Sequence, residues 1–308
     1  MKDRKMAISH LVRHASPFLK WVGGKTQLLP VMLNYIPAHF DTYIEPFIGG
    51  GALFFELQPT KAVLADSNPE LINCYTMVRD QVEDLINVLN SYQYSEEFYY
   101  AMRAETPEDP VLRAARMIYL NRTCYNGLYR VNKRGQFNVP FGRYTNPLIC
   151  DPERLRAASY ALRNAELRCA DYLDTLQHYA KPGDFIYIDP PYHPVSKYSD
   201  FKRYTVEFFY VDDQHALAKM AKKLAQQGCH VLVSNSHCDF IFDIYSGCQI
   251  IEVLAKRNIN KDPLKRGEVK EVLVVCGPYL THRQTTQTTH QLALWEVNKE
   301  SSPLFGTP

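Results

Sequence analysis

The sequence predicts an α/β protein with a Rossmann-like core, a largely parallel sheet wrapped by helices, into which a mainly helical domain carrying a β-hairpin is inserted. Three observations predict it. Short apolar runs at 43–48, 61–65 and 185–188 each end in an acid or a glycine turn before a helical pattern, which is the rhythm of βα units. That rhythm stops between about 76 and 164, where helix starts follow one another without strands. After Asp189 it returns.

With 308 residues the chain has material for one large domain or two modest ones. A hydrophobic fraction of 46% with 12% aromatics is that of a globular protein. The net charge of +2 does not announce a nucleic-acid binder, so the distribution of charge has to be read instead. Eight cysteines are scattered without a C-x-x-C pair or zinc-ligand spacing, which favours neither a disulfide framework nor a metal site. They read as reduced, mostly packed thiols of a cytoplasmic protein. Residues 1–16 form a charged, histidine-bearing extension without an apolar core, and no run is long enough to span a bilayer, so the expectation is a soluble, unexported chain.

Taken in order, Phe18-Leu19-Lys20-Trp21-Val22-Gly23-Gly24-Lys25 is a short apolar segment ending in a glycine turn. A helical pattern follows through Leu28, Leu29, Met32 and Tyr35. Paired glycines before a helix let a ligand approach the backbone, and Lys25 would reinforce an anion there. Next, the strand-like Tyr43-Ile44-Glu45 runs into Pro46-Phe47-Ile48-Gly49-Gly50-Gly51 and the apolar helix 52–57. The glycines lack the G-x-G-x-x-G spacing, so a nicotinamide enzyme is not supported. The strand 61–65 then ends in Asp66, fifteen positions after Gly51, where an α/β nucleoside site places the acid that accepts from ribose hydroxyls.

Ser67-Asn68-Pro69 is a capped helix start that opens an amphipathic run to about Leu89, and Asp109-Pro110 and Asp151-Pro152 are two more. Residues 111–150 hold seven basic side chains, Arg113, Arg116, Arg122, Arg130, Lys133, Arg134 and Arg143, and no acid. Aromatic and amide groups, Tyr125, Asn126, Tyr129, Asn138 and Tyr144 among them, are interleaved. Lysine and arginine neutralise phosphates, and arginine and asparagine read guanine and adenine edges, so this stretch points to DNA, with Arg122, Arg134 and Arg143 among the contacts. Residues 132–136 read as a hairpin tip.

Phe185-Ile186-Tyr187-Ile188 closes abruptly in Asp189-Pro190-Pro191-Tyr192. The prolines donate no N–H and fix φ, so the turn is a stiff acceptor platform at the sheet's carboxyl edge. Beyond it, 199–210, with Lys202 and Arg203, is expected to form a lid, 212–227 a helix stopped by Gly228, and 231–233 a strand ending at Ser234. Strands 249–254 and 271–276 flank a basic loop, 256–267. Past Tyr279 the polar composition predicts a disordered tail, 281–308.

Asp189-Pro190-Pro191-Tyr192 resembles the (D/N/S)-P-P-(Y/F/W) motif of amino-group DNA methyltransferases. Glu45-Pro46-Phe47-x-Gly49-x-Gly51 and the opening 18–25 resemble the E-P-F-x-G-x-G and F-L-K-W-x-G-G-K motifs of the Dam-type adenine-N6 enzymes, in the same order. The resemblance implies S-adenosylmethionine as methyl donor, held by Trp21, Lys25, Phe47, Gly49, Gly51, Asp66 and Asp189. Asp189, Pro190 and Tyr192 would be catalytic, and no metal is required. Residues 120–144 resemble the recognition hairpin of enzymes that methylate the adenine of GATC. By that resemblance Arg130 reads a guanine, Leu128 and Pro140 pack on a thymine, Tyr125 and Asn126 fill the space of a flipped adenine, and Tyr144 and Lys20 reach further bases. The implied partition is a catalytic domain of 17–75 and 165–280 with a recognition domain of 76–164. The implied setting is the cytoplasm of a prokaryotic or phage-infected cell, with double-stranded DNA as partner and no obligate protein partner. Cytosine-N4 or RNA methylation, or an inactive DNA-binding module, are the alternatives.

Overall fold

The computed structural model describes residues 14–194, 209–256 and 268–277. The expected N-terminal extension up to residue 13, the lid with Lys202 and Arg203, the basic loop at 257–267 and the tail at 281–308 lie outside the described residues.

The opening segment leads into a single helical turn, α1 (Leu29–Met32), flanked by 3-10 turns, rather than one continuous helix. Pro37 ends the pattern, because it pushes Ile36 into an extended conformation. There follow β1 (Tyr43–Glu45), α2 (Ala52–Leu57) and β2 (Ala62–Asp66). Five helices then intervene: α3 (Pro69–Asp80), α4 (Val82–Ser91), α5 (Glu96–Ala104), α6 (Pro110–Thr123) and α7 (Pro152–Leu162). All three expected caps are present, since the side chains of Asn68, Asp109 and Asp151 each accept from a first-turn N–H. The amphipathic run to Leu89 is broken at Gln81, whose φ of −137° and ψ of 44° leave the helical region and separate α3 from α4.

The second half contributes β3 (Ala165–Cys169), α8 (Tyr172–Tyr179), β4 (Phe185–Ile188), α9 (Val211–Gln226), β5 (His230–Ser236), α10 (Asp239–Ile244), β6 (Gln249–Lys256) and β7 (Glu268–Cys276). The seven strands form one mixed sheet in the order β3-β2-β1-β4-β5-β7-β6. The first five pair in parallel, and β7 runs antiparallel to both its neighbours. Strand alternation divides the core: Phe185 and Tyr187 face the cluster shared with α3–α7, while Ile186 and Ile188 face the cluster under α8–α10. The first cluster runs unbroken from the sheet into the intervening helices, through Leu64, Tyr75, Leu85 and Tyr119. The expected domain boundary at 75–76 falls inside α3.

One expectation fails. Cys248 and Cys276 form a disulfide, with Cα atoms 5.0 Å apart, instead of remaining thiols. The cause is register: β6 and β7 pair Gln249 with Val275, so the next position along brings the two cysteines side by side. A separation of 28 residues gives no hint of it.

Candidate active site

Strand order reverses between β1 and β4, since β2 and β3 continue to one side and β5 to the other. Open α/β sheets bind ligands beyond the carboxyl ends of the strands at such a point, and both the Gly49–Gly51 loop and Asp189 lie there. Asp189 is held at both oxygens. Lys25 Nζ lies 2.8 Å from Oδ2, and Ser234 Oγ donates to Oδ1 at 2.7 Å. Lys25, only 7% exposed, also donates to the Gly23 carbonyl, and its ammonium stands 4.8 Å from the Tyr192 ring centre. The Tyr192 hydroxyl donates to Glu271 Oε2 at 3.1 Å. Gln214 donates to the Pro191 carbonyl at 2.8 Å, and Asn235 accepts from the His193 N–H at 3.1 Å, so the turn is braced along its length.

Beneath this turn lies Glu45, fully buried, with Tyr43 donating to Oε2 at 2.7 Å. Burial drives its carboxyl well above the ordinary range against the pull of the Tyr43 hydrogen bond, and the charge of Asp189 adds to the rise.

The glycine loop beside it is shaped by positive φ, 46° at Gly49 and 66° at Gly51. A Cβ at Gly49 would stand 2.8 Å from the Trp21 indole, and one at Gly51 2.8 Å from the Tyr75 hydroxyl. Trp21 therefore forms a wall over the loop. Gly49 N–H donates to Asp66 Oδ2 at 3.3 Å, and Asn68 N–H to Oδ1 at 3.0 Å. Burial pushes the Asp66 carboxyl up to about 6, against the pull of those two donors. Phe47 packs on Tyr172 with ring centres 5.2 Å apart. Trp21, Gly49 and Asp66 are thus in one place, and Lys25 joins them to Asp189. The backbone cradle and the flanking carboxylate suit an adenosyl group with free ribose hydroxyls. Among the described residues no group of His, Cys, Asp and Glu is arranged to hold a metal, and no helix is long and apolar enough to cross a membrane.

The hairpin forms as the sequence suggests. Val131 bridges Phe137, Asn132 N–H donates to the Gln136 carbonyl at 2.9 Å, and Gly135 turns the tip at φ 75°. Arg130, Lys133, Arg134 and Arg143 are exposed, as are Tyr125, Asn126 and Pro140, while Leu128 and Tyr144 are half-buried. Arg130 Nε donates to Asn138 Oδ1 at 2.7 Å. The other three basic residues face inward. Arg113 pairs with Glu70, Arg116 donates to the carbonyls of Met102 and Arg103, and Arg122 donates to the Phe18 carbonyl at 2.6 Å, half-buried. Arg122, expected at the DNA, thus spends its guanidinium on tying the opening segment to α6. Lys20 is exposed, with Nζ 5.0 Å from the Tyr144 ring centre.

Sequence reasoning missed Ser234 and Glu271 as partners of the acidic turn. Ser234 is the first polar residue after three buried apolar ones, and the pairing of Ile188 with Val233 sets it beside Asp189. A cavity of about 320 Å³ opens between the opening segment and the hairpin base, lined by Lys20, Trp21, Gly50, Asn126 and Gly127.

Comparison with known proteins bears on this geometry directly. The family model described as D12 class N6 adenine-specific DNA methyltransferase matches residues 21–259. The chain is 42% identical over 284 residues to the type II methyltransferase M.MjaIII of Methanocaldococcus jannaschii, covering 84% of this chain and 98% of that protein. It is 42% identical over 268 residues to the type II methyltransferase M1.LlaDCHI of Lactococcus lactis subsp. cremoris, covering 84% and 94%. It is 34% identical over 267 residues to the DNA adenine methylase of Escherichia coli K12, covering 85% and 95%. The acidic turn, the glycine loop and the exposed basic hairpin are therefore those of a chain that belongs to the D12 class of N6 adenine-specific DNA methyltransferases.

Proposed function

We propose that this enzyme transfers the methyl group of S-adenosylmethionine to adenine N6 within GATC in double-stranded DNA. The observation that carries the reading is Asp189, its two oxygens fixed by Lys25 and Ser234 beside the loop walled by Trp21. Each carboxylate oxygen has a second lone pair, so both can still accept from an exocyclic amino group. Adenine N6 is a weak nucleophile because its lone pair is delocalised into the ring. Asp189 and the Pro190 carbonyl would accept hydrogen bonds from the amino group and stabilise the positive charge that develops on nitrogen as the methyl leaves sulfur for nitrogen, with S-adenosylhomocysteine as leaving group and one N6 proton released afterwards. Tyr192 stacks on the ring, held by Glu271.

When bound, S-adenosylmethionine supplies the electrophilic methyl group. Gly49 and Gly51 would leave room for the backbone to approach it, Asp66 would take the ribose hydroxyls, and Trp21 and Phe47 would complete the walls of the site. The target base has to leave the duplex, and Tyr125 and Asn126 fill the space it vacates. Arg130 reads a guanine, Leu128 and Pro140 a thymine, and Lys20 and Tyr144 reach neighbouring pairs, while Arg134 and Arg143 meet phosphates. The GATC assignment is supported by the likeness of 120–144 to the Dam-type hairpin. In this reading α4–α7 with the hairpin constitute the recognition domain.

The test is to incubate the enzyme and its Asp189→Ala variant with a random-sequence duplex and S-adenosylmethionine, then map every modified base. N6-methyladenine confined to GATC, absent with the variant, is the expected outcome. Methylation at another sequence refutes the specificity. Near-normal turnover by the variant refutes the role of Asp189.

A further inference from the structure

The segment that carries Trp21 is fastened to the recognition element at three points. Arg122 holds the Phe18 carbonyl. Asn121, 1% exposed, accepts from the Lys20 N–H at 2.8 Å and donates to the carbonyls of Lys20 and Gly127 at 2.7 and 3.1 Å. Its acceptor and both amide hydrogens are used, so the clamp grips the Lys20 backbone at both its N–H and its carbonyl. The third point is aromatic. Tyr129 lies against Trp21 with ring centres 5.3 Å apart and planes at 24°, an offset stack.

Trp21 in turn covers the glycine loop. Added Cβ atoms at Gly49 and Gly50 would come within 2.8 and 3.1 Å of it, and Gly49 N–H holds Asp66. The indole thus has the hairpin on one side and the loop on the other. Tyr129 sits between Leu128 and Arg130. Alternation along an extended segment sends its ring inward onto Trp21 and Phe137, while Arg130 stays exposed at the surface. Displacing the hairpin therefore displaces the wall of the loop.

We propose that Tyr129 is the positioning residue that couples the two substrates: seating the hairpin on its target duplex sets the Trp21 wall, so each ligand tightens the binding of the other. Tyr129 acts through Trp21, on whose ring it packs. The inference rests on the reading of Trp21, Gly49–Gly51 and Asp66 as the methyl-donor site and of the hairpin as the duplex reader. Coupling of this kind is reciprocal by thermodynamic necessity.

The test measures the affinity of S-adenosylhomocysteine, which cannot react, by calorimetry on the full chain. It is measured without DNA, with a saturating GATC duplex, and with a duplex of equal length lacking that site. For the unaltered enzyme the GATC duplex tightens binding about fivefold or more, and the other duplex does so less. Tyr129→Leu keeps apolar bulk without a flat ring; each ligand alone binds within about threefold of normal, and the ratio falls toward one. Tyr129→Phe keeps the stack and the ratio. A ratio of one in the unaltered enzyme overturns the proposal. So does a full ratio in the leucine variant, a phenylalanine variant as uncoupled as leucine, or a leucine variant that has lost both separate affinities. An unaltered enzyme that binds neither ligand refutes the functional reading instead, which separates the two failures.

Discussion

At the scale of single residues, the acidic turn depends on groups that hold Asp189 as much as on Asp189. Ser234→Ala removes the donor to Oδ1 and frees the carboxylate to rotate about its Lys25 contact. A hydrogen bond to a charged group is worth about 1.5–3 kcal/mol, so single-turnover methyl transfer should fall roughly 10- to 100-fold with duplex affinity unchanged. Asp66 makes a pH prediction. Its folded value of about 6 lies above the ordinary 3.8, so the folded chain holds this proton more tightly than the unfolded chain. The stability that this group contributes is fully present below the unfolded value and is lost as pH rises through about 6. In the proposed reading donor binding runs the other way, because the ionised carboxylate is the stronger acceptor for ribose hydroxyls. Calorimetry across pH 5 to 8 should show S-adenosylmethionine affinity dropping as pH falls through about 6, and Asp66→Asn should give a weaker, pH-flat affinity. Asp189 and Asp66 were legible in the sequence because each is an acid ending an apolar run. Ser234 and Glu271 were not, because their partnership is created by strand register.

At the scale of elements, the hairpin was legible from its turn residues, but counting basic residues did not show which of them the fold engages. Arg113, Arg116 and Arg122 lie on α6, and that helix packs them against Glu70, backbone carbonyls and the opening segment. A sequence shows that a stretch is basic and free of acids; it does not show which guanidinium groups are consumed by carbonyls inside the fold. Arg130 is held by Asn138 through Nε and Nη2; in the proposed reading it meets a guanine, so Arg130→Ala should cost about 1–3 kcal/mol of discrimination at one base pair and relax preference there. Arg134→Ala, near the tip, should weaken all duplexes alike and reduce the salt slope by about one. Turnover on GATC and its single-base variants, with affinity at several salt concentrations, checks both. The hairpin root is tighter still. A Cβ at Gly142 would stand 2.7–2.8 Å from the carbonyls of Cys124 and Thr123, both backbone atoms. Gly142→Ala should lower the melting free energy by about 1–3 kcal/mol, read from denaturant curves.

At the scale of the whole molecule, the parallel half of the sheet follows from its βα rhythm, whereas β3, α8 and α10 went unread because they are short and partly polar. The place of β7 was equally hidden, since nothing local says that the last strand inserts between β5 and β6. The Cys248–Cys276 bond lies at the amino end of β5, where Cys276 pairs with Val231, on the sheet edge away from Asp189. Its 28-residue separation corresponds to about 3–4 kcal/mol of chain entropy, so reduction or Cys248→Ser should lower the melting temperature by several degrees and leave methyl transfer intact. The strand order also governs which contacts can form first during synthesis. A chain emerging from the ribosome presents the glycine loop, the hairpin and Asp189 long before it presents Glu271, the residue that anchors Tyr192. Until β7 arrives, β5 has an open edge and Tyr192 lacks its Glu271 acceptor. Translation that stops short of β7 thus releases a fragment that carries the acidic turn, the glycine loop and the hairpin but lacks both the Glu271 acceptor of Tyr192 and the antiparallel partner of β5.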